Sequence, residues 1–457
     1  MRRLVRFLAF VLTMSVCPVF IGVGAGEASD WYFGFGVRTI RSGNPHEEPL
    51  YIAGYHSGVE LTGVMDECQV RSVWLDVGGT GVLLIGVDCI ALDRGTVDLI
   101  RGALTDLPEG TCVNVYATGT HSGADTLGLW GPSWKDGKNE AYMNALIAAA
   151  VESAREARGN RQPASMVFGR IQTWGLLGSN LCSGENDGYL CQLRLTPLGG
   201  GRGLRMLFYD ADPALLGSQN TLMSRDYPGQ LCDSVSEATG DDVLFLPGAV
   251  GGSPSMDEED PGESCSNGNS LNMARRLTAY VLQIEPDDER LLRPELAVSR
   301  VEFPVPMENL RLMTCQMLGI LNGRLIRPEG ERGSCVETEL SVLILDDLAL
   351  ALIPGKIFPE LVRDNSQGRS GSLEGELRPL EEVVGGFGFE DLLVAGLAND
   401  TLGSIVPPWE LPGQTMQLDF IRLLNGEEAS MVAGADSVGP ECAARVADAL
   451  QTAFEQL

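Results

Sequence analysis

A chain of 457 residues with 44% hydrophobic and 21% charged residues has the composition of a globular protein. It is long enough for one large domain or two to three ordinary ones. Its formal net charge of -29 disfavours nucleic acid and anionic lipid surfaces as partners, because like charges repel.

The chain opens with Arg2, Arg3 and Arg6, then a mostly apolar stretch from Phe7 to Val23 and small residues at Val23-Gly24-Ala25. Residues 1–25 therefore read as a secretory signal, and residues 26–457 as a single domain of a secreted or periplasmic protein. No later run approaches about 18 consecutive apolar residues, so no transmembrane helix is expected in the mature chain. Cleavage would remove Cys17 and leave ten of the eleven cysteines, an even number that suits disulfides in an oxidising compartment. Cys182/Cys191 and Cys315/Cys335 are close enough for local pairs, and Cys232/Cys265 would bracket a polar, acidic loop. Spacing alone does not fix that connectivity. Cys89 and Cys112 lie in or beside apolar runs and read as buried thiols. No C-x-x-C pair occurs, which argues against a cysteine zinc site.

The Gly- and aromatic-rich start from Trp31 to Gly43 predicts a strand and turn. Tyr51–Gly54 and Val70–Val77 read as short strands. Gly78-Gly79-Thr80-Gly81 signals a hairpin turn into a buried strand, Val82–Val87. Thr96–Leu104 has helical spacing, with Thr96 a candidate N-cap, and Val113–Ala117 is the next strand. Strand, helix, strand predicts a βαβ unit. Open α/β sheets place ligand sites at the carboxyl ends of such strands. Glu140–Arg158 presents one apolar face through Met143, Leu146, Ile147, Ala150, Val151 and Ala154, with Gly159 suited to its C-cap. A polar loop holding Cys182 and Cys191 follows. Leu198–Gly203 lacks the ending of a phosphate-binding loop and reads as a hairpin connection.

Further strands are expected at Leu204–Tyr209, Val243–Leu246, Arg300–Val305, Leu340–Leu345, Leu348–Ile353 and Leu392–Leu397. Helices are expected at Ser270–Leu282 and Pro440–Leu457, the second with proline at its first position. Asp257-Glu258-Glu259-Asp260 lacks EF-hand spacing and reads as a solvated loop, as does the polar stretch Ser366–Gly375. The fold class expected is α/β, with mixed sheets flanked by helices.

Five strand-to-loop junctions carry the chemistry: Thr118–Gly131, Asp210–Leu216, Pro247–Ser255, Pro354–Glu360 and Ala398–Trp409. The first holds His121, one of three histidines beside His46 and His56. The wording GTHSGADTLGLWGP and LANDTLGSIVPPWE, supported by ADPALLGSQ, resembles the neutral/alkaline, non-lysosomal ceramidase family and its bacterial branch, from about Phe33 to Phe454. The resemblance implies a catalytic-domain-like fold without the C-terminal immunoglobulin-like domain of the larger ceramidases. It also implies a zinc-dependent amidase whose metal polarises the N-acyl carbonyl.

Carried over residue by residue, the implied ligands are substituted. The first histidine of the family's H-x-H falls on Gly119 and the histidine before proline on Asp212. The glutamate after Pro-Gly falls on Lys356, and the tyrosine on Ser404, or on Thr401 if the loop shifts. The second histidine is kept as His121. Ser253 matches the family serine if a one-residue gap is allowed.

Lysine repels a divalent cation, but its charge can stand where the metal stood, paired with Asp212. No cofactor is then expected. Two functions are compatible with this. The first is a ceramidase-like binding or scaffold protein, for a lipid or another small N-acylated ligand, that has lost zinc catalysis. The second is an amide or ester hydrolase with His121 as acid or base, Ser253 as nucleophile and Lys356 as electrostatic stabiliser. Asp125, Trp130, Asp212, Asn399 and Ser404 would line its pocket. The retained residues also have simpler readings: His121 holds loop backbone, Asp125 caps a turn, Trp130 belongs to the core and Ser253 to a turn.

Overall fold

A computed structural model describes residues 30–41, 49–132, 135–177, 188–252, 267–331, 333–363, 377–408, 411 and 436–457. The leader, Cys182, Ser253, the acidic run 257–260, Cys265, the stretch 366–375 and Trp409 lie outside the described residues.

Among the described residues, nine strands form the larger sheet. They are β1 (Trp31–Thr39), β2 (Gln69–Val77), β3 (Thr80–Val87), β4 (Cys112–Ala117), β5 (Gln162–Gln172), β6 (Tyr189–Pro197), β7 (Leu204–Tyr209), β8 (Asp242–Pro247) and β9 (Glu289–Leu292). Their order is β8-β7-β6-β5-β1-β2-β3-β4, with β9 added on β5. The smaller sheet has β10 (Leu296–Pro306), β11 (Arg324–Ile326), β12 (Cys335–Leu345), β13 (Leu348–Leu352) and β14 (Asp391–Ala395), in the order β10-β12-β13-β14 with β11 on β12. The helices are α1 (Arg94–Ala103), α2 (Glu140–Gly159), α3 (Asp226–Thr239), α4 (Asn267–Val281), α5 (Leu310–Met317), α6 (Leu380–Gly385) and α7 (Cys442–Glu455). The architecture is thus mixed α/β. No described helix is long and apolar enough to cross a membrane.

Period-two alternation explains how the sheets stack. On β13, Leu348, Leu350 and Leu352 join Phe33, Leu75, Leu84, Leu193 and Met206 of the larger sheet in a core between the two sheets. The alternate residues Ala349 and Ala351 face the other way and share a cluster with Val446 and Leu450 of α7. Helix α2 covers β1 and β2, and α7 covers β10 and β12. A third cluster is built by α3 and α4, which bury Leu231, Val235, Met273 and Leu277 against Leu207 and Phe245.

Three neighbouring pairs are parallel: β3 with β4, β7 with β8, and β13 with β14. The first is the expected βαβ unit, joined through α1. All five sequence junctions follow strands of these pairs, so their loops leave the sheets at carboxyl ends. That placement builds the site.

Several local expectations are corrected. Helix α1 is capped by Asp93, not Thr96: the Asp93 carboxylate accepts from the Thr96 backbone N–H at 2.9 Å and from its hydroxyl at 2.7 Å. Helix α2 runs through Gly159 and Asn160 closes it. Pro440 sits in a turn before α7, which begins at Cys442. Tyr51–Gly54 makes isolated bridges instead of a strand. Cys191 lies within β6, opposite Arg170 and Phe208, and not in a loop.

The cysteine expectations change with it. Cys191, Cys232, Cys315 and Cys335 are free thiols, so the pair Cys315/Cys335 does not form. Cys315 faces the core from α5, while Cys335 opens β12, held between Pro306 and Ile326. Cys89 and Cys112 are also free; Cys89 is buried and Cys112 half-buried.

Candidate functional site

The loops meet through backbone hydrogen bonds. Ala117 N–H donates to Leu397 carbonyl at 3.1 Å, and His121 N–H to Pro213 carbonyl at 3.0 Å. Gly396 N–H reaches Pro247 carbonyl at 2.8 Å, Gly251 N–H reaches Ile357 carbonyl at 2.8 Å, and Leu397 N–H reaches Gly355 carbonyl at 3.0 Å. Lys356 and Ser404 are register partners in a two-residue parallel ladder, and Lys356 N–H donates to Gly403 carbonyl at 2.9 Å. Residues far apart in sequence are therefore fixed by main chain before any side chain acts.

At the centre lies Lys356. Its Nζ is 2.9 Å from Asp212 Oδ1, 2.8 Å from Asp212 Oδ2 and 2.8 Å from His121 Nε2. An ammonium has three donors and no acceptor, so these three contacts use its whole hydrogen-bonding capacity. The same logic fixes the His121 tautomer: Nε2 accepts, and the ring proton sits on Nδ1. Asp212 Oδ2 lies 3.6 Å from Nε2, an electrostatic neighbour and not a hydrogen-bond partner. All three side chains are largely buried, between 14% and 16% exposed. Burial and then the Lys356 charge push the His121 imidazolium pKa down to about 4, against the opposing pull of Asp212. His121 is neutral at physiological pH, and its Nε2 lone pair is occupied. It is a poor general base in this arrangement.

A part of the wall was missed by sequence reasoning. Tyr55 packs its ring on His121 at 5.2 Å between centroids and donates its hydroxyl to Ala214 carbonyl at 3.1 Å. Gly54 lies against the imidazole so closely that a Cβ there would be 2.7 Å from His121 Nδ1. That nitrogen is buried without a hydrogen-bond partner among the described residues. The preceding Ile52 bridges to Ala124 and brings this segment onto the His121 loop; nothing in a Gly-Tyr dipeptide signals the encounter.

Gly119, where the resemblance implies a histidine, is held by its own backbone and packing. Its φ of +90° favours glycine, and a Cβ would meet Leu397 Cδ1 at 3.1 Å and Pro213 Cδ at 3.4 Å. The space beside it is packed by apolar side chains. Ser404 is buried next to Lys356, and the Thr401 hydroxyl accepts from Gly403 N–H at 3.2 Å.

Other expected pocket residues serve as structure. Asp125 accepts from the backbone N–H groups of Leu127 (2.9 Å), Gly128 (2.7 Å) and Trp130 (2.8 Å), which moulds its own loop. Burial raises its pKa and these bonds oppose the rise. Trp130 is half-buried against the larger core cluster, and its carbonyl accepts from Gly58 N–H. Asn399 is fully buried at φ +66°, where it bonds Val115 N–H, Arg101 and Asn114. These bonds make it a strut between the sheets. Ser253 lies outside the described residues.

Two supports were also not foreseen. Asp210 pairs with Arg363 at 2.8 Å and accepts from Ala249 N–H, which ties two of the loops together. Behind the Asp212 loop, the Tyr227 hydroxyl donates to Ala211 carbonyl at 2.6 Å, while Asp226 accepts from Leu216 N–H at 3.3 Å. The pair clamps both ends of the segment carrying Asp212.

The donor set can be weighed against the zinc that the resemblance implies. The four substituted positions offer a carboxylate, an ammonium, a hydroxyl and no side chain at all. The ammonium lies where a cation would contact Asp212 and His121. Among the described residues, no three His, Cys, Asp or Glu side chains are grouped to hold a metal ion. These residues do not fit a divalent zinc.

No family model matches the chain, and no curated protein matches it either. Solved structures do. The crystal structure of neutral ceramidase from Pseudomonas aeruginosa aligns with a TM-score of 0.69 at 14% identity, covering 94% of this chain and 75% of that one. A structure described as ceramidase complexed with C2 gives 0.68 at 13% identity, covering 94% and 76%. At such identity the likeness speaks for architecture alone: over nearly its whole length, this chain has the fold of the bacterial neutral ceramidases.

Proposed function

We propose that this chain is an exported ceramidase-like protein that binds a lipid or another small N-acylated ligand and no longer performs zinc-dependent amide hydrolysis. The observation that carries the reading is the Lys356 ammonium, whose three donors are all engaged by Asp212 and His121. Two further features support it. The His121 lone pair is occupied and its basicity is depressed. The Gly119 position is walled by Leu397 and Pro213. A hydrolase working through His121 and Ser253 would have to break the Lys356 contact to free its base.

The test combines three measurements on protein prepared with zinc present. Metal content should be substoichiometric. A fluorogenic N-acyl substrate should not turn over. A fluorescent short-chain ceramide should bind saturably. Turnover lost on His121→Ala in metal-free protein would overturn this reading in favour of the hydrolase.

A further inference from the structure

We infer that Trp174 and Tyr189 form an aromatic contact surface beside the ligand site, through which the protein rests on a bilayer of neutral, zwitterionic lipid. The inference rests on the proposed binding of a lipid-like ligand and names the surface such a ligand would be drawn from.

The two residues are brought together by the β5–β6 ladder. Gln172 stands opposite Tyr189. The Thr173 backbone N–H and hydroxyl both donate to Gly188 carbonyl, at 2.9 Å and 2.8 Å, which carries the pairing one residue further and sets Trp174 at that end. Trp174 is 51% exposed and Tyr189 41%. Neither is loose. Trp174 N–H donates to the Tyr280 hydroxyl at 3.1 Å, and its carbonyl accepts from Arg276 at 2.8 Å. The Arg170 guanidinium lies over the Tyr189 ring, 5.5 Å from its centroid. Large aromatic side chains ordinarily bury their area. Two of them fixed in place and left half in water are presented to something outside the chain.

This end of the hairpin touches the site. The Thr173 hydroxyl lies 3.0 Å from the Tyr209 hydroxyl, and a Cβ at Gly188 would come within 3.9 Å of Asp210 Oδ2. Tyr209 and Asp210 lead directly into the loop that carries Asp212.

Chemistry and charge select the partner. Tryptophan and tyrosine each join an apolar ring to a polar tip, and they settle where acyl chains meet headgroups. The formal charge of -29 opposes a second copy of the chain, an acidic protein or an anionic bilayer. Neutral headgroups meet no such repulsion. Leu198 supplies an internal control. It is 58% exposed and follows Pro197 at the far end of the nine-residue β6, about 30 Å from Tyr189.

The experiment uses the full chain, the double variant Trp174→Ala with Tyr189→Ala, and Leu198→Ser. Each is sedimented with vesicles of phosphatidylcholine and, separately, with vesicles containing phosphatidylserine. Circular dichroism checks that each is folded. The unaltered chain and Leu198→Ser should bind phosphatidylcholine vesicles alike, at low salt and at high salt, and should bind the anionic vesicles less well. The double variant should bind phosphatidylcholine about tenfold more weakly, the loss of roughly 1.4 kcal/mol of interfacial contact. If the double variant does not fold, Trp174→Ala alone decides the matter by a smaller loss that Leu198→Ser does not share. Vesicle binding that ignores the aromatic pair, or that falls equally in Leu198→Ser, overturns the inference. So does a dimer that the double variant abolishes in the absence of vesicle binding, which would assign the surface to a second copy. Short-chain ceramide presented in solution should bind all three chains alike. If it binds none while vesicle binding still depends on the pair, the binding-protein reading fails and this inference stands. If it binds while vesicle binding ignores the pair, this inference fails alone.

Discussion

At Lys356 three donors meet three acceptor atoms inside a largely buried cluster, so removing one partner strands the others. Lys356→Met keeps the length of the side chain and deletes its charge. It leaves Asp212 ionised with no counter-ion, which is expected to cost about 2–4 kcal/mol after allowing for residual exposure. Adding Asp212→Asn should recover most of the loss, read from urea unfolding midpoints. His121 gives a pH signature with a definite sign. Its folded-state pKa is lowered to about 4, against about 6.5 in an unfolded chain. Between those values the unfolded chain binds a proton that the folded chain excludes. Stability is therefore fully present above about 6.5 and is lost as pH falls towards about 4. The unaltered chain should lose more stability across that window than His121→Leu does; equal slopes would contradict a buried neutral imidazole. The opposite charges at 212 and 356 were legible in the sequence because the resemblance put both on ligand positions of one implied site. The contacts of Gly54 and Tyr55 were not, because a loop-to-loop approach leaves no periodicity to read.

Strands and helices were legible in proportion to how regularly they bury their residues. The apolar runs at β3, β4, β7, β8, β13 and β14 bury nearly every position, and each was read near its observed bounds. Helix α3 was not expected, since Pro228 and Gly229 stand in its first turn and blur the helical signal. Nor was the ionic seam that fastens α1 to the smaller sheet. Arg94 Nη1 and Arg101 Nη2 reach the fully buried Glu339 of β12 at 2.8 Å and 2.6 Å, and Arg101 also donates to Val113 carbonyl on β4. Spacing within α1 cannot reveal a partner some 240 residues away. Glu339→Gln leaves two guanidinium groups short of a buried counter-charge, and is expected to destabilise by about 3–5 kcal/mol. Hydrogen exchange should show α1 opening more readily in that variant. Unchanged protection there would mean that apolar packing alone holds the helix.

Across the whole molecule, 62 acidic residues outnumber 33 basic ones, and this excess acts differently from the buried cluster. Surface carboxylates repel one another over distances that salt controls, with a Debye length of about 30 Å at 0.01 M and about 8 Å at 0.15 M. The compact state concentrates that repulsion and the unfolded chain relieves it. The melting temperature should therefore rise as sodium chloride is increased over this range. The contact of Lys356 with Asp212 spans only 2.8 Å and is mostly shielded from solvent, so mobile ions cannot enter it. The destabilisation caused by Lys356→Met, measured against the unaltered chain at each salt concentration, should stay constant while both melting temperatures climb. A penalty that shrinks with salt would instead mark the pair as a solvent-screened surface bridge. In that case Lys356 would no longer qualify as the buried counter-ion of Asp212.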